Sequence, residues 1–146
     1  MNRYANSFLG FRNEYLNTVF ISDPPPATGW PTKFAVITAH DPDGQSRSED
    51  ENLQADTRLV SRLKDLQLAH WRVSGCSPDF KHKEAGYAIV CDEITGSSLA
   101  SEFRQEAFYW VVDGVLSLVP TYHRKEVPVA LWESRLRVNV DTNAQL

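Results

Sequence analysis

Phe34-Ala35-Val36-Ile37, running on into Thr38-Ala39-His40-Asp41-Pro42-Asp43-Gly44, decides how the rest of the chain is read. Four consecutive apolar residues without alternation describe a strand covered on both faces, central in its sheet. Pro42 and Gly44 then impose a turn. Downstream, Ser48-Glu49-Asp50-Glu51 fits a capping box whose acids also complement the helix dipole. Leu59, Leu63 and Leu66, at i, i+4 and i+7, carry that helix to about Leu66. Ala69, Trp71 and Val73 alternate with His70, Arg72 and Ser74 as a half-buried strand, with His70 and Arg72 expected on a solvated face. A loop from Gly75 to Lys83 leads to a buried strand over Tyr87–Cys91. Thr95-Gly96-Ser97-Ser98 is expected to open a second helix that runs to about Arg104. Phe108–Val112 and Val115–Val119 flank Asp113-Gly114, a strong hairpin signal.

Upstream, Ser7–Asn17 places Phe8, Phe11, Tyr15 and Leu16 near one face of a helix. Thr18–Ile21 reads as a short strand stopped by Asp23-Pro24-Pro25-Pro26. Beyond Pro120 the pattern weakens, though Arg135–Val140 alternates as a last strand. From residue 32 the order is β-α-β-β-α-β-β. The expected class is α+β: an antiparallel sheet with two helices on one face, ferredoxin-like (split βαβ), with an added C-terminal hairpin. The opposite sheet face is expected to stay open and available for binding. The length of 146 residues suits a single domain over residues 1–146, with the N-terminal helix and C-terminal extension packed on it.

Fifteen Lys and Arg against nineteen Asp and Glu give a net charge of −4. That balance argues against non-specific binding to nucleic acid or anionic membranes. Recognition of nucleic acid through His70, Trp71 and Arg72 is further disfavoured because Trp71 faces away from the other two. No apolar run approaches the ~18 residues of a membrane span, and Met1-Asn2-Arg3-Tyr4 opens no signal peptide, so a cytoplasmic protein is expected. The two cysteines, Cys76 and Cys91, form no CxxC, which argues against a disulfide scaffold or zinc ribbon.

His40-Asp41-Pro42-Asp43-Gly44 has the carboxylate spacing of the middle of a calcium loop. Ala39 would then stand at the first ligand position and Asp50 at the closing one, so calcium fits poorly and a turn is the simpler reading. Asp41 and Asp43 are weak metal candidates, and no metal is expected. His40 has no partnered ligand spacing and reads as a polar residue at a strand end. Glu84, entering a buried strand, must be paired or face a cleft. Thr95-Gly96-Ser97-Ser98 offers donors to an anion, with helix capping the simpler reading. Gln105 reads as a group that satisfies loop backbone or a ligand. No P-loop, GxGxxG or GxSxG is present, and no cofactor is expected.

Phe34 to Pro42, Glu51-Asn52, Gly75, Pro78-Asp79, Glu84-Ala85-Gly86 and Gln105-Glu106-Ala107 together resemble the bacterial family called domain of unknown function 3293, over about residues 15–120. Members typically have Trp and Asn where this chain has His40 and Asp41. The resemblance implies a small bacterial-type protein and a shortlist of polar positions: Thr38, Asp41, Asn52, Asp79, Glu84 and Gln105. It brings no reaction with it.

With His40 added, these are the ligand-binding candidates. The leading expectation is a non-catalytic binding or regulatory module for a protein partner or a small polar ligand, as a monomer or homodimer. The alternative is a metal-assisted hydrolase or phosphoryl-transfer enzyme using Asp41, Asp43 and Glu84.

Overall fold

The computed structural model describes residues 13–24, 28–122 and 125–138. In chain order these form α1 (Asn13–Leu16), β1 (Val19–Ser22), β2 (Lys33–Thr38), α2 (Glu49–Asp65), β3 (His70–Cys76), β4 (Lys83–Ile89), α3 (Glu93–Glu102), β5 (Ala107–Val112), β6 (Val115–Pro120), β7 (Val127–Leu131), α4 (Trp132–Arg135) and β8 (Leu136–Val138). The class is mixed α and β. Eight strands form one sheet in the order β7-β6-β5-β2-β4-β3-β1-β8.

The apolar run of β2 lies fourth in that order, and its lack of alternation has a direct cause. Ala35 and Ile37 enter a core with Ala55, Leu59 and Leu63 of α2 and Leu99 and Ala100 of α3. Phe34 and Val36 enter a second core with Phe20, Val73, Val111, Leu116 and Trp132. Both faces of the sheet are therefore buried at its centre. The expected open face is a correction: aromatic and aliphatic side chains fill it.

That second core exists because the sheet curls. Flat, the seven strand steps of ~4.8 Å would set β7 and β8 roughly 34 Å apart. Yet only α4 separates Leu131 from Leu136, and five peptide steps reach at most about 19 Å. Phe20 of β1 and Tyr109 of β5, four strand steps apart, meet edge to face with ring centroids 4.9 Å apart. Trp132 of α4 closes over the same interior, 5.0 Å from the Phe20 ring and 5.3 Å from Phe34.

Several sequence expectations change. The sheet is mixed rather than purely antiparallel, because β8 pairs in parallel with β1, Ile21 opposite Arg137. The Asp113-Gly114 hairpin forms, with Val112 opposite Val115, but β7 and α4 follow it where the sequence pattern is weak. The second helix starts earlier than Thr95: Asp92 is its N-cap, accepting from the Thr95 amide at 2.7 Å. Gly96 and Ser97 lie buried inside that helix, where a Cβ on Gly96 would sit 3.1 Å from Phe108, so no anion reaches them. β4 begins at Lys83 and ends at Ile89, leaving Cys91 beyond the strand. Leu66 is the C-cap of α2 and 39% exposed rather than part of the buried stripe. The expected N-terminal helix is described over Asn13–Leu16, with Phe8 and Phe11 outside the described residues.

His70 and Arg72 also depart from expectation, since their face of β3 is the one α2 covers. Arg72 forms a forked pair with the buried Asp56 of α2, Nη1 to Oδ1 at 2.8 Å and Nη2 to Oδ2 at 2.9 Å. It also donates to the Tyr87 hydroxyl at 2.6 Å. The capping box at the start of α2 forms as the sequence indicates: Ser48 Oγ accepts from the Glu51 amide at 3.1 Å, and Glu51 Oε1 accepts from the Ser48 amide at 3.3 Å.

Candidate functional site

The curled sheet leaves a cavity of about 660 Å³ at the end where β2 runs into its turn. Its apolar floor comes from the inner face: Phe20, Val36, Val73 and Leu118. Around that floor the structure gathers Thr38, His40, Asp41, Asn52, Glu84 and Gln105. Six of the polar positions singled out from sequence thus share one cavity, although they come from four separate stretches of chain.

Asp79 is not among the lining residues. Its Oδ1 accepts from the Ser77 hydroxyl at 2.6 Å and the Lys81 amide at 3.0 Å, which holds its carboxyl below the usual range. Asp79 therefore shapes the β3–β4 loop, whose Ser77, Lys81 and His82 do line the cavity. Asp43 also lies outside it: its amide donates to the Arg104 carbonyl at 2.7 Å and its carboxylate pairs with the Arg104 guanidinium. Among the described residues, no group of three or more His, Cys, Asp and Glu side chains is placed to hold a metal ion.

The polar groups at the rim are tied to the chain's own backbone and to each other. The Thr38 hydroxyl donates to the Ala85 carbonyl at 2.6 Å and accepts from the His40 amide at 3.1 Å. Gln105 Nε2 donates to the carbonyls of His40 at 3.0 Å and Phe103 at 3.1 Å. This joins the end of α3 to the turn after β2, the backbone-satisfying role expected of it. Asp41 sits at φ 47°, in the left-handed region, and its Oδ1 accepts from the Arg47 amide at 2.9 Å and from Asn52 Nδ2 at 3.0 Å. Burial pushes the His40 pKa down; Asp56 and Asp41 oppose the shift and Arg72 adds to it.

Gly86 explains how the wall of β4 comes so close to β2. A Cβ there would stand 2.6 Å from the Ile37 carbonyl oxygen, a backbone atom, so the Glu84-Ala85-Gly86 segment has room for no side chain at its last position.

The sequence analysis missed the inner wall. Tyr109, facing inward from β5, has its hydroxyl 2.5 Å from the Tyr15 carbonyl and 2.9 Å from Thr18 Oγ1. One proton serves the carbonyl, and the phenol oxygen accepts from the Thr18 hydroxyl. Burial pushes this phenol's pKa up. The Tyr15 hydroxyl lies 3.4 Å from Glu106 Oε2, and Tyr15, Glu106, Tyr109, Phe20 and Gly75 all border the cavity. Period-2 alternation along β5 separates Tyr109 from Phe108 and Trp110, but nothing in the sequence says that the inner face encloses space.

Residues 37–108 match the family model described as Protein of unknown function (DUF3293). The chain resembles DUF3293 over those residues. The span runs from Ile37 in β2 to Phe108 in β5, narrower than the stretch of about 15–120 on which the motifs suggested it. It contains Thr38, Asp41, Asn52, Glu84 and Gln105, all on the cavity rim, and Asp79 in the neighbouring loop. No curated protein and no solved structure matches the chain.

Proposed function

We propose that this protein is a non-catalytic binding module whose ligand is a small polar molecule held in the cavity of the curled sheet. One observation carries the reading: a cavity of about 660 Å³, open to solvent at its mouth, with an apolar floor and a polar rim gathered from four stretches of chain. Pockets of roughly 300–1,000 Å³ with few polar groups over apolar walls are the usual form of small-molecule sites. An inward cavity suits a small ligand better than a protein partner, which needs a broad surface. The hydrogen bonds of Thr38, Asp41, Asn52 and Gln105 to the chain itself support a rigid binding frame rather than proton transfer. The enzyme alternative gains no support from Asp43, which lies outside the cavity in an ion pair with Arg104. The strand order β5-β2-β4-β3, with α2 and α3 as crossovers, supports a ferredoxin-like plait at the centre of one domain.

The test is equilibrium dialysis of the protein against a mixture of small polar metabolites, read by mass spectrometry, beside Gly75→Leu. Gly75 borders the cavity, and its Cβ position meets Thr18 Cγ2 at 3.4 Å, an ordinary contact, so a leucine fills space without a backbone clash. Retention of a small molecule by the wild type and its loss from folded Gly75→Leu is the expected result. No retained molecule, or equal retention by both proteins, overturns the reading.

A further inference from the structure

A second concavity, a groove of about 430 Å³, lies between α2 and the end of α3 and shares no lining residue with the cavity of the curled sheet. α2 supplies Arg58, Ser61, Arg62 and Asp65, and the end of α3 supplies Glu102 and Arg104. The buried Ala39 and Ala55, with Phe103, give it an apolar floor. Three guanidiniums thus stand against two carboxylates, in a chain whose net charge is −4. Arg58 and Arg62 lie one turn apart on the same face of α2, a like-charge spacing that weakens a helix. Arg104 follows the C-cap of α3 at φ 56°, the left-handed position where glycine is usual. Its amide donates to the Ser101 carbonyl at 3.0 Å and the Gln105 amide to the Ala100 carbonyl at 2.8 Å, which closes the helix end around a residue that is not glycine. Local backbone preference explains neither placement.

The hydrogen bonds of these arginines show which donors remain. Arg62 gives Glu102 only its Nε, 3.2 Å from each carboxylate oxygen. Arg104 gives Asp43 only its Nη2. Among the described residues, both Nη groups of Arg62, the Nε and Nη1 of Arg104, the Ser61 hydroxyl and the whole Arg58 guanidinium have no partner. Two carboxylates therefore hold two of the forks and leave their other N–H groups uncommitted beside a third fork that nothing engages. Guanidinium forks match phosphate oxygens through paired, charge-assisted hydrogen bonds. A phosphoryl group brings three acceptor oxygens and close to two charges, so it can use several of these donors at once, where a carboxylate has two oxygens and one charge. We infer that the groove is a second ligand site, for a small phosphorylated molecule whose phosphoryl oxygens are taken by Arg58, Arg62 and Arg104. Its size falls within the range of small-molecule sites, and its apolar floor accommodates the organic part of an ester. Asp65 and Glu102 repel an anion, but the three guanidiniums outnumber them.

Inorganic phosphate, glycerol phosphate, AMP and adenosine serve as probes, in low-salt titrations followed by phosphorus NMR and calorimetry. The two phosphate esters are expected to bind and adenosine to bind more weakly than AMP. Ester affinity is expected to fall about threefold to tenfold in Arg58→Gln, and to fall in the wild type at roughly 1 M salt, where the screening length is ~3 Å. Arg58 is exposed and has no partner among the described residues, so Arg58→Gln removes no contact that holds the fold. Arg47→Gln, which takes the same charge from outside the groove, is expected to leave the affinity unchanged. Inorganic phosphate that binds as tightly as the esters, and loses affinity in Arg58→Gln, supports the phosphoryl site and assigns it to the free anion. Three results overturn the inference: no phosphate or ester binding at millimolar concentration, a loss in Arg58→Gln no larger than in Arg47→Gln, or adenosine binding as tightly as AMP.

Discussion

Asp41 and Asn52 hydrogen-bond to each other in both directions: the Asp41 amide donates to Asn52 Oδ1 at 2.9 Å, and Asn52 Nδ2 donates to Asp41 Oδ1 at 3.0 Å. The pair joins the turn after β2 to the first turns of α2, and both residues border the cavity. The same Asp41 oxygen also accepts from the Arg47 amide. A side-chain carbonyl serves those two donors as well as a carboxylate does, and Asn tolerates the left-handed backbone at φ 47° at least as well as Asp. Asp41→Asn is expected to change unfolding free energy by less than about 1 kcal/mol. Asp41→Ala, which strands two donors and strains the backbone, is expected to cost about 2 kcal/mol or more. Urea denaturation of both variants checks this; equal losses would refute it.

Gly86 leaves no room for a side chain beside the Ile37 carbonyl. The 2.6 Å approach involves backbone on a central strand, so relief requires β2 and β4 to part. Gly86→Ala is expected to destabilise by about 3 kcal/mol, at the upper end of overpacking costs. A thermal midpoint within a few degrees of wild type would count against the assigned register.

The Arg72–Asp56 pair ties α2 to the sheet, but the two side chains differ in exposure, 38% for Arg72 and 10% for Asp56. Removing Arg72 strands the more buried carboxylate, so Arg72→Met is expected to cost about 2–3 kcal/mol, below the range for fully buried pairs. Replacing both, as Asp56→Leu with Arg72→Met, is expected to restore most of the loss. A double variant as weak as the sum of the singles would show that the pair is not coupled.

These residues show what the sequence carried and what it did not. The β2 run, the Ser48 capping box and the Asp113-Gly114 hairpin are local, and each formed where its residues indicated. The face of Arg72 was misread because alternation distinguishes two sides of a strand without saying which of them a helix covers. The parallel β1–β8 pair depends on residues more than a hundred positions apart, and no short-range pattern encodes it. At the cavity, Asp41 and Glu84 stand out in the sequence as polar residues at the ends of buried strands, whereas Asn52, inside α2, came only from the family resemblance. The aromatic inner wall of Phe20 and Tyr109 looked like ordinary core, since a curled sheet and a filled one place the same residues inward.

Cys76 and Cys91 are both free, and burial pushes both thiols up, Cys91 to about 11. Thiolate is the reactive form, so at about pH 8 the native protein is expected to modify at least about a hundredfold more slowly at Cys91 than the denatured chain. Peptide mapping after timed alkylation measures it. Rapid native labelling of Cys91 would mean that it is neither buried nor raised.

His40 links the cavity to pH. Burial lowers its pKa in the folded protein, against the opposing pull of Asp56 and Asp41. The unfolded chain therefore binds the proton first as pH falls through about 6.5, and the native state resists it. In that window the unfolded state holds more protons, so stability rises with pH: the contribution is complete above about 6.5 and declines below it until the folded imidazole also protonates. The wild type is expected to lose more stability between about pH 7.5 and about pH 5.5 than His40→Gln, which has nothing to titrate at that position. Urea midpoints at the two pH values decide the matter. Parallel losses in wild type and variant would place the pH sensitivity elsewhere, and a larger loss in His40→Gln would reverse the sign assigned to His40.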